Sequence, residues 1–300
     1  MSYQAGIGNE IDVSAQISDD VVIGNYNYIG KNVVIGAFKG TQGGKIVIGD
    51  CNQIHEDTRI VMGAEGLSVG DWNVFHNNML VMGGQRMEIG HNCWFGQNTI
   101  LDSAGGLFIG NGVRVGMYSQ IWTHVASGEL IEGCTLYAQR STSIEDDVWL
   151  VGSCIVGSGL NLGRRAVCMI GSLITKDLEP NKVYRGSPAS EVEGLHFYRS
   201  VTDEEKMRMM IGWVDQFVEQ SGTGVSSEYL PHLNTLRVKD VASDELLVIG
   251  FEDGKSDSGT LTTYFDLKGK TYSKRLTTLE RQFYRFIFDH KARFLPIGKN

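Results

Sequence analysis

The sequence predicts a mainly β fold: a parallel solenoid of hexapeptide repeats followed by a helix and a small α+β cap. Three observations carry this. Apolar residues recur every six positions, as in Ile11, Ile17, Ile23, Ile29 and Ile35, and in Ile144, Leu150, Val156, Leu162, Cys168 and Ile174. Neither the 3.6-residue period of a helix nor the two-residue period of a strand produces that count. Gly follows many of these residues, among them Gly24, Gly49, Gly70, Gly90 and Gly110. A glycine after each inward residue predicts a corner with positive φ. The breaks in the count also all fall at one place.

With Ile23, Ile48, Val69, Ile89, Ile109, Ile144 and Leu162 as first-face residues, seven coils of three faces follow. The extra residues beyond 18 per coil number 7, 3, 2, 2, 17 and 0, always after the third face. Insertions on one side of a solenoid mark a binding side. The longest, about residues 122–143, opens with Trp122-Thr123-His124, and long loops in compact folds tend to be functional.

The six-count stops after Ile174, and residues 175–190 read as an exit loop with Pro180 and Pro188. The division is then 1–195 for the repeat domain and 196–300 for the extension. Thr202 and Glu205 form a capping box for a helix whose apolar side carries Met209, Trp213 and Phe217, with Met210, Ile211 and Val214 widening it. Such a helix could cover the open end of the solenoid. Residues 235–251 and 260–267 read as strands. Thr277 to His290 reads as a helix with Leu279, Phe283, Phe286 and Ile287 inward.

Composition narrows the class. Apolar content of 42% and charged content of 21% suit a globular chain. No apolar run approaches the roughly 18 residues of a membrane span, and no signal peptide is evident at the N-terminus. The five cysteines are an odd number without C-x-x-C, which fits reduced thiols and a cytoplasmic setting. Residues 1–195 hold 12 Lys and Arg against 20 Asp and Glu, while 196–300 hold 15 of each. An acidic solenoid argues against a nucleic-acid partner. Five of its cations, Arg164, Arg165, Lys176, Lys182 and Arg185, fall in one stretch, either as solvated corner charges or as a phosphate site.

The segments D-D-V-W-L-V-G-S-C-I-V-G-S-G-L-N-L-G, G-S-L-I-T-K-D-L-E-P and R-G-S-P-A resemble the end of hexapeptide-repeat acyltransferases of the sugar O-acetyltransferase type. The motifs cover about residues 86–190 and the repeats 11–179. The resemblance implies a left-handed parallel β-helix, a homotrimer and acetyl-CoA as donor, with no metal. It also implies a catalytic His about two dozen residues before the V-W element, and His124 lies 24 residues before Val148.

A sugar hydroxyl attacks a thioester only as a base removes its proton, and an imidazole suits that role. The other ring nitrogen needs an acceptor. By coil register, Asp102 lies one coil from Trp122, about 4.8 Å away, within reach of His124. Glu129 and Glu132, in the same insertion, compete for that place. Asn98 is loosely similar to an acceptor-side Asn. The resemblance further implies that Trp149 lines the acceptor cleft, and that Gly152, Thr175 and Lys176 contact CoA. Arg164, Arg165 and Arg185 join that cofactor end. Val151 and Met169-Ile170 depart from the small residues of the pattern, which would narrow the pantetheine groove or favour another acyl group.

Other readings stay open. The acceptor could be an amino or nucleotide sugar, with N-acylation. His55 and His76 follow core residues of adjacent coils, and with His91 they suggest a metal site like that of γ-class carbonic anhydrases, though no His-x4-His is present. A catalytically silent scaffold is the last.

Overall fold

The computed structural model describes residues 3–40, 42–126, 128–251 and 261–297. The chain divides into two compact units, Met1–Tyr198 and Arg199–Asn300.

The first unit is a left-handed parallel β-helix. Three sheets of eight, ten and eight short strands among the described residues form its faces. The first-face register runs Ile23–Ile48–Val69–Ile89–Ile109–Ile144–Leu162, one residue per coil. These side chains and their second- and third-face equivalents fill one core. An earlier coil precedes them, with Ala5 paired to Ile23.

The solenoid does not end at Ile174. Leu178 bridges to Leu162, Tyr184 pairs with Cys168, and the Ala189 N–H donates to the Leu173 carbonyl at 2.7 Å. Leu178, Tyr184 and Ala189 all belong to the core. One further coil is therefore present. The count missed it because the first step, Ile174 to Leu178, is four residues rather than six.

The glycines after the core residues serve close approach rather than positive φ. A Cβ on Gly49 or Gly70 would lie 2.7 Å from the carbonyl oxygen of the glycine one coil on. Only a residue without a side chain lets the coils stack there. The left-handed position comes two residues later, at Tyr26, Cys51, Trp72 and Asn92, with φ of 55°, 59°, 61° and 63°.

Polar columns satisfy the corner N–H groups that the strands leave over. Buried Asn27, Asn52 and Asn73 each accept from a backbone N–H of the next coil at 2.8 Å. A parallel column runs Asn25, Asp50, Asp71, His91, Asn111 and Asp146. In it the His91 Nδ1 accepts the Asp71 N–H at 2.9 Å. That bond occupies the nitrogen lone pair and ties His91 to its corner. His55 and His76 stack with centroids 5.1 Å apart and planes 10° apart, and Trp94 meets His76 edge-on at 4.8 Å. Burial and the neighbouring His55 push the His76 pKa down.

Among the described residues, the second unit has a six-stranded mixed sheet and two α-helices. The strands run Val225–Leu230, Thr235–Asp240, Leu246–Gly250, Thr262–Asp266, Thr271–Ser273 and Leu295–Ile297 in sheet order. The expected single strand over 235–251 is an antiparallel pair, and the first, fifth and sixth strands escaped the periodicity because each is short or polar. Helix α1, Asp203–Ser221, has the capping box on Thr202 and Glu205. Its buried stripe is Met207, Met210, Val214 and Phe217, while Met209 is 39% exposed.

This differs from the expected Met209–Trp213–Phe217 line by a rotation of the helix. Within its own unit, Phe217 meets Phe283 and Phe286 at 5.2 and 5.6 Å. Helix α2, Thr278–Ile287, buries Leu279, Phe283 and Ile287 as its spacing requires, but also Glu280 and Tyr284. Among the described residues no helix is long and apolar enough to cross a membrane.

Candidate active site

The 17-residue insertion folds as an arm at the corner between third and first faces. His124–Ala126 pairs antiparallel with Tyr137–Gln139. The base of the arm is fastened to the preceding corner: the Gly105 N–H donates to Thr123 Oγ1 at 2.8 Å, and Gln139 Nε2 donates to the Ala104 carbonyl. Beyond that base, Leu130 and Ile131 are 69% and 90% exposed.

At the same corner Asp102 is almost fully buried. Register places it opposite Trp122, one coil on, because Leu101 pairs with Ile121. Its Oδ2 lies 2.8 Å from three atoms: His124 Nδ1, the Thr123 backbone N and Thr123 Oγ1. Oδ1 accepts from the Ala104 N–H at 3.3 Å. A buried carboxylate needs such hydrogen-bond donors in place of water. An ionised carboxylate only accepts, so the facing Nδ1 carries the ring proton and Nε2 holds the free lone pair. The His124 side chain is 39% exposed and its partner 2%, an arrangement of a rooted carboxylate and an accessible imidazole. Trp122 closes one side, edge-on at 6.0 Å, with Nε1 donating to Gln120 Oε1 at 3.0 Å.

Of the three carboxylates in contention, Asp102 is the one at His124. Glu129 and Glu132 lie in an exposed turn, where Glu132 N–H donates to the Glu129 carbonyl. Thr123 and Trp122 were not expected as site residues. The signal was positional: Thr123 occupies in its coil the place of Ser103 in the previous one, a step past the Asp102–Trp122 pair.

The remaining expected residues are spread around the prism. Thr175 and Lys176 follow Ile174 at the same corner as His124, exposed. Register places them two coils further, since Ile121 pairs with Val156 and Val156 with Ile174, a separation of about 10 Å at one strand spacing per coil. Trp149 lies on the second face between Arg114 and Val167, 44% exposed. Gly152 is buried at the corner between second and third faces, where a Cβ would sit 3.8 Å from Ile170. Asn98 is a turn residue there, with φ of 58°.

The five cations do not converge. Arg164, Arg165 and Lys182 lie between first and second faces, Lys176 between third and first, and Arg185 ends the strand Val183–Arg185. A stretch of 18 residues circles the whole prism, so closeness in sequence is not closeness in space. Acids accompany several of them: Arg165 Nε is 3.7 Å from Asp147 and Lys182 Nζ 2.6 Å from Glu191. Among the described residues no three His, Cys, Asp or Glu side chains are grouped to hold a metal ion.

No family model matches the chain. A galactoside O-acetyltransferase of Lactococcus lactis is 33% identical over 108 residues, 35% of this chain and 52% of that protein. A galactoside O-acetyltransferase of Escherichia coli is 26% identical over 125 residues, 41% of this chain and 58% of that one. The chain thus spans little more than half the length of these curated relatives. The solved structure of a UDP-N-acetylglucosamine acyltransferase from Campylobacter jejuni superposes with a TM-score of 0.50 at 16% identity, covering 74% of this chain and 79% of that one, a likeness of fold. Over the matched residues the β-helix of this chain, with its six-residue period, is related to the hexapeptide-repeat acyltransferases of the sugar O-acetyltransferase type.

Proposed function

We propose that the protein transfers an acetyl group from acetyl-CoA to a hydroxyl of a sugar or surface polysaccharide, with His124 as general base. The carrying observation is the 2.8 Å contact of His124 Nδ1 with buried Asp102, which leaves Nε2 basic at an accessible corner. The related acetyltransferases supply the reaction class. Nε2 takes the hydroxyl proton as the oxygen attacks the thioester carbonyl. The tetrahedral intermediate then expels the CoA thiolate, which recovers the proton from the imidazolium. Asp102 holds the tautomer and offsets the charge that develops on the ring.

Thr175 and Lys176, at the same corner, are assigned to the CoA end together with Gly152, Arg164, Arg165 and Arg185. Their spread over several corners fits a homotrimer, in which different corners of neighbouring copies meet. Trp149, on another face, is assigned to the acceptor side on the same reasoning. The setting is cytoplasmic, where acetyl-CoA is supplied.

The test is thiol release from acetyl-CoA with a panel of sugars, amino sugars and capsular oligosaccharides, run beside His124→Ala. Acceptor-dependent release that falls at least about 100-fold in the variant supports the reading. Release that survives the substitution removes His124 from the mechanism. Release confined to amino sugars makes the enzyme an N-acyltransferase, and no release with any acceptor removes the reaction.

A further inference from the structure

The second unit is neutral as a whole, with 15 Lys and Arg against 15 Asp and Glu, but its cations are unevenly placed. Residues 261–297 hold eight Lys and Arg against three Asp and Glu, a net of +5, in a chain whose net charge is −8. One of those acids, Glu280, is buried and accepts from the Thr263 hydroxyl and from the Arg275 and Leu276 N–H groups. From Leu267 to Phe288 it is the only acid, so none on that stretch faces solvent.

The cations follow α2. Lys274 and Arg275 directly precede it. Arg281 and Arg285 are four residues apart, on the side opposite buried Leu279, Phe283 and Ile287. Lys291 follows its end. Arg275 and Arg285 are exposed. Two others are held in place: Arg281 Nε donates to the Leu276 carbonyl at 3.3 Å, and Lys291 Nζ lies 4.1 Å above the Phe286 ring. A ten-residue helix is about 15 Å long, the length of several monosaccharides.

We propose that this basic edge of α2 binds a polyanionic polysaccharide, a glycan with carboxylates repeated along its chain. The inference rests on the proposed function and narrows its acceptor class from any sugar to an acidic polymer. Each exposed charge pair contributes little in water, so one carboxylate is not retained. A polymer meets several cations together and releases the counterions around its own charges, a gain that grows with the number of contacts. The acidic β-helix unit, net −8 over residues 1–195, repels such a chain. An attractive site on the same polypeptide offsets this and raises the local concentration of acceptor.

The test uses the full chain and fluorescence anisotropy of labelled polygalacturonate, with dextran of matched length and single-stranded DNA as competitors, at low and physiological salt. Polygalacturonate binds, dextran does not compete, and affinity weakens as salt rises. Arg281→Glu with Arg285→Glu lowers affinity at least about tenfold. Should that pair unfold, Arg285→Gln with Lys291→Gln gives a smaller loss in the same direction. Thiol release with a small sugar acceptor is unchanged in both. Absent binding at low salt, equal competition by dextran, tighter binding of DNA, or affinity indifferent to both variant pairs overturns the proposal. Binding is read without turnover, so failure of the transfer reaction registers separately.

Discussion

Thr123 and His124 share one acceptor: Thr123 Oγ1 and His124 Nδ1 each lie 2.8 Å from Oδ2 of Asp102. The backbone N–H of Thr123 donates to the same oxygen. The carboxylate is therefore positioned from the arm before it positions the imidazole.

Replacing Asp102 by Asn keeps the shape but offers an amide that can donate toward Nδ1, which favours the wrong tautomer. Transfer is expected to fall about 100-fold or more, with the fold intact. Steady-state kinetics beside far-UV circular dichroism check this; undiminished turnover would remove Asp102 from the site.

Thr123→Val deletes a hydroxyl donor to Asp102 and strands the Gly105 N–H that Oγ1 accepts. Loss of one such bond in a buried setting costs about 1–3 kcal/mol. The expected result is a drop in kcat with KM for acetyl-CoA nearly unchanged, and recovery in Thr123→Ser. A drop that Ser does not rescue assigns Thr123 to packing alone.

Gly70→Ala places a Cβ 2.7 Å from the Gly90 carbonyl oxygen, whereas Gly84→Ala meets nothing within 4 Å. The first is expected to destabilise by about 1–3 kcal/mol through overpacking. The second is expected to be neutral or slightly stabilising. Denaturant midpoints of the two variants decide. Equal effects would return these glycines to a purely conformational role.

Glu280 is held above its ordinary carboxylate value by burial, against the pull of Thr263 and the Arg275 and Leu276 N–H groups. A carboxyl group whose folded pKa is raised contributes stability that is present below its unfolded value, near 4.5, and is lost as pH rises through the folded value. Glu280→Gln cannot ionise. Its melting temperature should therefore gain on the wild type as pH rises from acid toward neutral, as scanning calorimetry across that range would report. Parallel curves would show that Glu280 does not titrate differently on folding.

Much of the β-helix was legible because its cause is local. The inward residue of each short strand repeats at a fixed step, so Ile109, Ile144 and Leu162 mark one face despite the insertion between the first two. The capping box of Thr202 and Glu205 and the inward line Leu279–Phe283–Ile287 were legible for the same reason. The rotation of α1 was not. Met207, rather than Met209, is buried with Met210, Val214 and Phe217, and the partner of a helix leaves no mark on its own period.

Sequence alone determined the repeat, the side of the prism that takes insertions, and the placing of His124 and Asp102 at one corner, since coil register follows from counting. Tertiary structure decided which carboxylate meets the imidazole, that Thr123 grips it, and that the cations of residues 164–185 separate around the prism. It also decided that the glycines serve coil stacking and that one more coil follows Ile174. Those facts depend on distances between residues about 20 positions apart in the chain, which stacking brings to hydrogen-bond range or holds on different faces, and a six-residue period reports only which side chains point inward.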